Sequence, residues 1–387
     1  MPDRAANALL IDLQQRCCRY FVEQANTRTG LVLDRARTDG AVVERSRNIA
    51  SIAATGFGLT ALCIAAEQKW IRRADALRQA SLTLRFVADT LPNEHGWFYH
   101  FIDAGTGARA WKCELSSIDT ALLLAGVLTA GGYFGGDLRT LSLSIYDRVD
   151  FQWMRNGDTT LTHGWKPESG FLRSRWGTFS ECLLLYALAM GSRTHRISAD
   201  AWMNVAKPVR TYAGIRYIEG GPLFVHQFPQ AWLDLRQTRW FTNSALATQA
   251  NRAFCLDLRS RYPKSYSENI WGVTASDTAH GYLAWGIPGD TNNVDGSVVP
   301  CAPGGSLMFA PELCSAALIA MREKFGDRLW GRYGFADAFN PTTGWYDSEV
   351  IGIDLGITAA SAENSRTGNV WKWFTSALPD RTILHQM

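Results

Sequence analysis

Several helix-length segments of this chain are apolar on nearly all of their faces, which restricts the folds open to it. Residues 118–130 read IDTALLLAGVLTA, and residues 179–190 read FSECLLLYALAM. A helix on a protein surface shows one apolar stripe and one polar face. Segments that are apolar all round are therefore expected to lie between other helices, in an inner layer of the fold.

Helical periodicity recurs along the whole chain, whereas the alternation typical of strands is scarce and short. It predicts helices over residues 7–24, 50–68, 71–90, 118–130, 138–149, 179–190, 199–211, 230–258, 312–325 and 369–377. Long links rich in Gly, Asn, Asp and aromatic residues lie at 92–112, 151–176 and 262–305, and links of this length are often functional. Helix pairs with an elaborate loop at one end predict an all-α toroid whose decorated end is the working face.

Composition predicts one compact domain over residues 1–387, because hydrophobic residues make up 47% of the chain and no composition break divides it. The net charge of +3 is not concentrated in a basic run, so we expect no nucleic-acid partner. The longest apolar stretches fall short of the roughly 20 residues of a membrane span, and the first residues do not read as a signal peptide, which leaves the compartment open. Eight cysteines without a C-x-x-C pair are expected to be mostly free.

Residues 114–126, ELSSIDTALLLAG, place Glu114 and Asp119 at the entrance of one apolar helix. Ser116 and Asp119 also fit a capping box, in which side chains bond the free N–H groups of the first turn. On pattern alone, a capping role is somewhat better supported than a catalytic one.

A second segment, 173–195, repeats this design, with Thr178 and Glu181 as the capping pair. Neighbouring helices in a ring would bring both acids to one cavity, and glycoside hydrolysis needs two carboxyl groups. An acid in a first helical turn has its pKa lowered by backbone N–H groups. A proton donor there therefore requires burial against apolar walls, which Trp111, Trp176 and Phe179 could supply.

The 15 tryptophans are a second indication of a sugar site, because indole faces cover the C–H faces of sugar rings. Some of them fill the core, and a loop position favours ligand contact for the others. The loop subset comprises Trp97, Trp111, Trp165, Trp176, Trp271, Trp285 and Trp345.

Other polar groups are weaker candidates. His226, Gln227 and Asp277 could orient sugar hydroxyls, although such residues more often bond to loop backbone. Near the C-terminus, Asp347, Asp354 and Arg366 lie in a dense polar and aromatic segment that should return to the same face when the ring closes. The histidines lack metal-ligand spacing and no nucleotide motif is present, so we expect neither a metal nor a cofactor.

Eight segments together resemble the bacterial glucoamylase-like proteins that include the endo-β-1,2-glucanases. They cover nearly the whole chain and read GFGLTAL, GWFYHFID, ELSSIDTALLLAG, FSECLLLYALAMGSRTH, FVHQFPQAWLDLR, WGVTASD, YGFADAFN and ENSRTG. The resemblance implies an (α/α)6 toroid with a cleft at one end, and an inverting hydrolase that cleaves linear β-1,2-glucan to sophoro-oligosaccharides.

By matching motifs, the resemblance implies that Glu181 is an essential acid and that Glu114 and Asp119 line the cleft. It leaves the base open among Asp119, Asp347 and Asp354. We therefore predict a glycoside hydrolase, expected to act as a monomer on an oligo- or polysaccharide. The alternatives are an exo-acting or transglycosylating β-glucan enzyme, a polysaccharide lyase or sugar epimerase on the same toroid, and a non-catalytic glycan-binding protein.

Overall fold

A computed structural model of the protein describes residues 4–387, so residues 1–3 of the predicted domain lie outside it. Helices dominate the described residues. They are α1 (Arg4–Glu23), α2 (Ile52–Glu67), α3 (Arg73–Asp89), α4 (Ser117–Phe134), α5 (Gly136–Asp147), α6 (Phe151–Arg155), α7 (Cys182–Gly191), α8 (Asp200–Met203), α9 (Phe224–Gln227), α10 (Arg239–Asp257), α11 (Cys301–Gly305), α12 (Pro311–Phe325), α13 (Gly352–Arg366), α14 (Asn369–Ala377) and α15 (Ile383–Gln386).

The strands are short and form small antiparallel ribbons. They are β1 (Arg35–Arg37), β2 (Ile49–Ser51), β3 (Asn93–Glu94), β4 (Trp97–Phe98), β5 (Phe101–Asp103), β6 (Leu115–Ser116), β7 (Gly164–Lys166), β8 (Gly170–Phe171), β9 (Val209–Tyr212), β10 (Ile215–Ile218), β11 (Ser276–Thr278), β12 (Gly281–Leu283), β13 (Trp330–Gly331), β14 (Gly334–Phe335), β15 (Phe339–Asn340), β16 (Trp345–Tyr346) and β17 (Glu349–Ile351). Single 3-10 turns occur at Glu44–Ser46, Pro229–Ala231, Leu258–Ser260 and Gly326–Arg328.

Six helical units form a closed inner ring. In order around the ring they are α2, α4, α7, α9 with the turn Pro229–Ala231, α11 and α13, and α13 packs back against α2. Helices α1, α3, α5, α10 and α12 pack outside this ring. The predicted toroid is thus confirmed as an (α/α)6 toroid, and α4 and α7, the segments described above as apolar on nearly all faces, lie in its inner layer.

The inner helices α2 and α4 approach closely because glycines face each other. A Cβ atom on Gly126 would lie 1.9 Å from the carbonyl oxygen of Gly56, and one on Gly56 would lie 2.3 Å from the carbonyl oxygen of Leu122. Helix α4 is long and apolar enough to cross a membrane, yet 78% of it is buried inside the protein, as in a core helix.

The working end of the ring lies at the N-termini of the inner helices. Strands β2, β6 and β17 run directly into α2, α4 and α13. Strand β17 pairs with β1, with Glu349 opposite Arg37, so the last hairpin closes against the first as predicted. All eight cysteines are buried and unbridged.

Two predicted helices were wrong, and one long helix was missed. The predicted helix 199–211 is only the short α8, because residues from Val209 onward form the hairpin β9–β10, whose turn residues Ala213 and Gly214 both have positive φ, as a type I′ turn requires. The predicted helix 230–258 is broken before α10. Helix α13 was not predicted, because the glycines that let it pack closely, such as Gly356 against Phe57, weaken the helical signal.

Candidate active site

A cleft of about 570 Å³ opens at the N-terminal end of the inner ring. Sugar and drug-sized ligands commonly bind in clefts of this size. Acids, bases and aromatic rings share its surface. The lining residues are Asp34, Arg35, Arg45, Ser46, Ser51, His100, Phe101, Trp111, Ile118, Asp119, Leu122, Glu181, Phe224, Phe228, Asp277, Gly281, Tyr282, Ile351 and Ile353.

The entrance of α4 is a capped helix start. The Ser116 hydroxyl oxygen accepts a hydrogen bond from the backbone N–H of Asp119 at 3.2 Å and donates to Asp119 Oδ2 at 2.5 Å. The predicted cap is therefore confirmed, and Asp119 is held by it at the cleft with only 8% of its surface exposed. Asp119 Oδ1 is 3.5 Å from His100 Nε2.

His100 links the two acids of this entrance. Its Nδ1 is 3.2 Å from Glu114 Oε1, on the side away from Asp119. Burial alone would lower the pKa of His100, but the charges of Asp119 and Glu114 raise it. The hydrogen bond from His100 in turn lowers the pKa of Glu114 to about 2. The row Glu114–His100–Asp119 therefore places a histidine of raised pKa between two carboxyl groups.

The entrance of α7 is built differently. The helix begins at Cys182, so Glu181 is the N-cap residue, and its side chain makes no cap hydrogen bond. The predicted capping pair of Thr178 and Glu181 was wrong, because residues 177–179 are held extended: Phe179 donates to the carbonyl of Ala206, and Ala206 donates to that of Gly177. Glu181 instead faces the cleft.

Glu181 has the ionisation of a proton donor. Burial raises its pKa to about 7, and the nearby charge of Asp119 adds to the rise, although the Glu181 backbone N–H and the Ser180 hydroxyl favour the charged form. A carboxyl group with this pKa still carries its proton near neutral pH. The apolar walls that the sequence required are supplied in part by Phe224 and Phe228, which line the same cleft.

Another part of the cleft wall is an ion-pair network centred on Arg35. The Arg35 guanidinium contacts Asp277 at 2.8 Å, Glu349 at 3.1 Å and Asp34 at 3.2 Å. Arg45 makes a bidentate contact with Glu349 from the exposed side. This wall can offer both donors and acceptors to sugar hydroxyls.

Behind that wall lie Asp337, Asp347 and Asp354. Burial, with the repulsion of nearby carboxylates, raises the pKa of Asp347 to about 7 and that of Asp354 to about 6, and the pKa of Asp337 is also raised. Asp347 and Asp354 are not among the residues that line the cleft, and Asp354 borders a small separate cavity with Asp337.

Trp111 is the one predicted tryptophan that lines the cleft within residues 4–387. It is 60% exposed, and its ring centre lies 5.1 Å from that of Phe101, which stacks on His100 at 3.9 Å. Tyr282 is exposed on the other side. These rings are placed to cover sugar faces.

The other predicted tryptophans do not reach the cleft. Trp97 and Trp271 are fully buried, and Trp97 bonds to the carbonyl of Asp150. Trp176 stacks on His163, and its indole N–H donates to the Ser117 hydroxyl at 2.8 Å. Trp345 is half-buried in β16. Their loops fold inward and add to the core instead of presenting indole faces to solvent.

Three further candidates also lie away from the cleft surface. His226 is buried in α9, where burial lowers its pKa to about 3 and keeps the ring neutral. The Gln227 amide donates to the Ala302 carbonyl and the Ser306 hydroxyl, both at 2.7 Å. Arg366 lies at the C-terminal end of α13, about 20 Å along the helix from the cleft, and contacts Glu363. Asp277, by contrast, lines the cleft.

The sequence reasoning missed His100 and Arg35. A signal for His100 was present, because the turn residues Ala104 to Gly107 mark a hairpin that folds it back onto Glu114, whose carbonyl accepts the His100 backbone N–H at 3.0 Å. Arg35 gave no such signal, since its partners Asp277 and Glu349 are remote in sequence.

Comparison with known proteins identifies relatives along the whole chain. Residues 173–377 match the family model Glycoamylase, described as "Putative glucoamylase". A curated relative, the exo β-1,2-glucooligosaccharide sophorohydrolase (non-reducing end) of Parabacteroides distasonis, is 25% identical over 414 residues. The match covers 95% of this chain but 56% of that protein, so the chain spans about half the length of the curated relative.

Solved structures share the whole fold. The endo-β-1,2-glucanase of Chitinophaga pinensis, in complex with sophorotriose and glucose, is 26% identical, covers 98% of this chain and 97% of its own, and has a TM-score of 0.91. A β-1,2-glucanase of Parabacteroides distasonis, 23% identical, covers 100% of this chain and 60% of its own with a TM-score of 0.90. At that identity the second likeness shows the fold alone.

Proposed function

The chain belongs to the Glycoamylase family, and on that premise we propose that it is a glycoside hydrolase that cleaves β-1,2-linked glucan, with Glu181 as general acid and Asp119 as general base. The main observation behind the proposal is that two carboxyl groups in one cleft lie in different electrostatic environments. Within residues 4–387 Glu181 has no cation partner, and its pKa is raised to about 7, so it keeps its proton at mildly acidic pH. Asp119 instead contacts His100, whose pKa is raised. Acid–base catalysis of glycoside cleavage needs such a division.

In the proposed reaction, Glu181 donates its proton to the glycosidic oxygen as the bond from that oxygen to the anomeric carbon breaks. Asp119 accepts a proton from a water molecule whose oxygen forms the new bond to the same carbon from the opposite face. Ser116 and His100 fix the Asp119 carboxylate for this task, and Glu114 fixes His100. One water is consumed, and the product is inverted at the anomeric carbon.

Asp119 is favoured over Asp347 and Asp354 as the base because it lines the cleft and they do not. A base must come within hydrogen-bonding reach of the water that it activates. The wall around Arg35 is assigned to binding sugar hydroxyls, and Trp111 with Phe101 to stacking on a ring.

The linkage is supported by the relatives. One is named for hydrolysis of β-1,2-glucooligosaccharides, and the other was solved with sophorotriose and glucose. Because the curated relative is much longer than this chain, its exo action is carried over only as an alternative to endo cleavage, together with transglycosylation.

The deciding experiment is incubation with linear β-1,2-glucan, with NMR of the first product anomer and sizing of the products. We expect shortened sophoro-oligosaccharides released as the α anomer. Glu181→Gln is the inactive control. Sophorose as the sole product would indicate exo action. An unsaturated uronate released from uronate-containing glycans would indicate a lyase, and binding without any product would indicate a glycan-binding protein. Either of these last two results would refute the proposal.

We also infer that residues 1–387 act as one domain and as a monomer. The pairing of β1 with β17 and the packing of α13 on α2 close the ring within a single chain. Light scattering and limited proteolysis of the active protein test both points.

A further inference from the structure

Three carboxylates converge behind the Arg35 wall from segments remote in sequence. Asp277 lies in β11, Asp337 follows β14, and Asp347 follows β16. One oxygen from each lies within 4.8 Å of the others. The arrangement is held by the backbone, because the Asp277 N–H donates to Asp337 Oδ2 at 2.8 Å and the Glu349 N–H donates to Asp347 Oδ1 at 3.0 Å.

The remaining oxygens of this cluster lack partners. Asp337 Oδ1 and Asp347 Oδ2 are buried without a hydrogen bond within residues 4–387, as is Oδ2 of the neighbouring Asp354. Asp337 and Asp354 are only 4% and 6% exposed, and their carboxyl groups lie within hydrogen-bonding range of each other. Burying a carboxylate oxygen without a partner is costly, so these atoms point to a ligand that provides positive charge.

Within residues 4–387, the salt bridges of the protein reach this cluster only at Asp277, which Arg35 contacts at 2.8 Å. Arg35 pairs with Asp34, Asp277 and Glu349, and Arg45 pairs with Glu349. In the described part of the chain, no Lys, Arg or His forms a salt bridge with Asp337, Asp347 or Asp354. Six carboxyl groups on this side of the cleft thus share two guanidinium groups.

We propose that Asp277, Asp337 and Asp347 bind a hard divalent cation at this position, with Ca²⁺ the ion that fits best. Ca²⁺ takes six to eight oxygen ligands in a flexible arrangement and is commonly held by several carboxylates, whereas Mg²⁺ is usually held by only one or two. Mg²⁺ requires shorter bonds of about 2.0–2.1 Å in a near-octahedral arrangement. The expectation of no metal rested on histidine spacing, which does not test a site made of carboxylates.

Such an ion would join β11, the β14–β15 connection and the β16–β17 connection, close to the start of α13 where Asp354 lies. Asp277 belongs both to this cluster and to the cleft. The ion would therefore fix one part of the cleft wall without taking part in proton transfer, which the proposed mechanism assigns to Glu181 and Asp119.

The test is calorimetric titration of the EDTA-dialysed full chain with CaCl2 at about pH 8. We expect one ion per chain, weaker binding of MgCl2, and a Tm that rises with Ca²⁺ and falls after EDTA. Asp347→Asn, at the least buried ligand, should abolish both the heat of binding and the Tm shift. The matched control is Glu323→Gln, an exposed acid on the outer helix α12, which should bind Ca²⁺ like the wild type.

Three results would overturn the proposal. They are no binding by the folded wild type, Ca²⁺ binding that survives Asp347→Asn, and MgCl2 binding at least as tight as CaCl2. If Asp347→Asn fails to fold, the wild-type titrations still decide. The readouts do not use catalysis, so the two proposals can fail separately. An inactive protein that binds Ca²⁺ would refute the hydrolase proposal and leave the cation site standing. An active hydrolase that does not bind Ca²⁺ would refute the cation site and leave the hydrolase proposal standing.

Discussion

The entrances of α4 and α7 look alike in sequence and differ in structure. Each has a hydroxyl residue, an acid three positions on and then an apolar helix. At α4 the pattern forms a cap, with Ser116 bonded to both the N–H and the carboxylate of Asp119. At α7 the helix begins one residue after the acid, and Glu181 makes no cap hydrogen bond.

Tertiary contacts account for this difference. Strand β6 pairs with β7 up to Ser116 and runs straight into α4, so Ser116 arrives at the N-cap. The residues before Glu181 pair instead with Ala206, and the Phe179 ring stacks on Trp240 with centres 5.1 Å apart. The delayed helix start directs Glu181 to the cleft. One pattern thus produces an acid held by its cap and by His100 at α4, and an uncapped acid with a raised pKa at α7.

The largest expected effect is that of Glu181→Gln. Loss of the proton donor should lower kcat by about 10²–10⁴-fold with the fold intact, because Glu181 does not cap α7. At alkaline pH the free energy of unfolding of the Glu181→Gln variant should even exceed that of the wild type. The raised pKa of about 7 means that the Glu181 contribution to stability is present below pH 4.5 and is lost as pH rises through 7. Gln abolishes this loss, worth about 3 kcal/mol for a pKa raised from 4.5 to about 7.

Chemical denaturation of both proteins at acidic and alkaline pH measures the stability difference, beside single-turnover assays of activity. A large drop in Tm for Glu181→Gln at every pH would restore the capping role and make the two entrances equivalent. Glu323→Gln is the control for a general effect of removing an acid.

The pH profile of kcat/KM is the next test. The activity of the free enzyme should fall by about tenfold per pH unit above about 7, because Glu181 must be protonated to act. Initial rates on β-1,2-glucan at low substrate concentration measure this limb. An alkaline limb that begins only above about pH 9 would be incompatible with Glu181 as the acid.

The fold was largely predictable from the sequence because an inner ring favours helices that are apolar on nearly all faces. The sequences of α4 and α7 show this pattern directly. The cap at Ser116 was predictable because it is local. The start of α7 was not, since Ala206 sets it from a distance. Helix α13 was missed because its packing glycines weaken the helical signal. The Arg35 network could not be predicted because it joins residues that are hundreds of positions apart in the sequence.

Glu114→Gln examines the charge at the α4 entrance. Removing this carboxylate takes away part of the interaction that raises the pKa of His100. His100 should therefore lose its proton at a lower pH, and Asp119 would then lose a positively charged neighbour. We expect kcat/KM to fall by about tenfold at pH 8 and by less at pH 6. NMR titration of His100 gives the pKa directly. An equal loss at both pH values would mean that Glu114 acts only through packing.

The smallest expected effect comes from removing the two hydroxyls. Ser116→Ala deletes a used cap and should cost about 1 kcal/mol in the free energy of unfolding, with a several-fold loss of kcat because Asp119 loses the group that fixes it. Thr178→Ala should change stability by less than about 0.5 kcal/mol, since Thr178 is exposed and its side chain makes no hydrogen bond within the described chain. Urea denaturation of the two variants side by side measures both changes in the free energy of unfolding. Equal losses would mean that both entrances are capped in solution, and the raised pKa of Glu181 would then need a cause other than the missing cap.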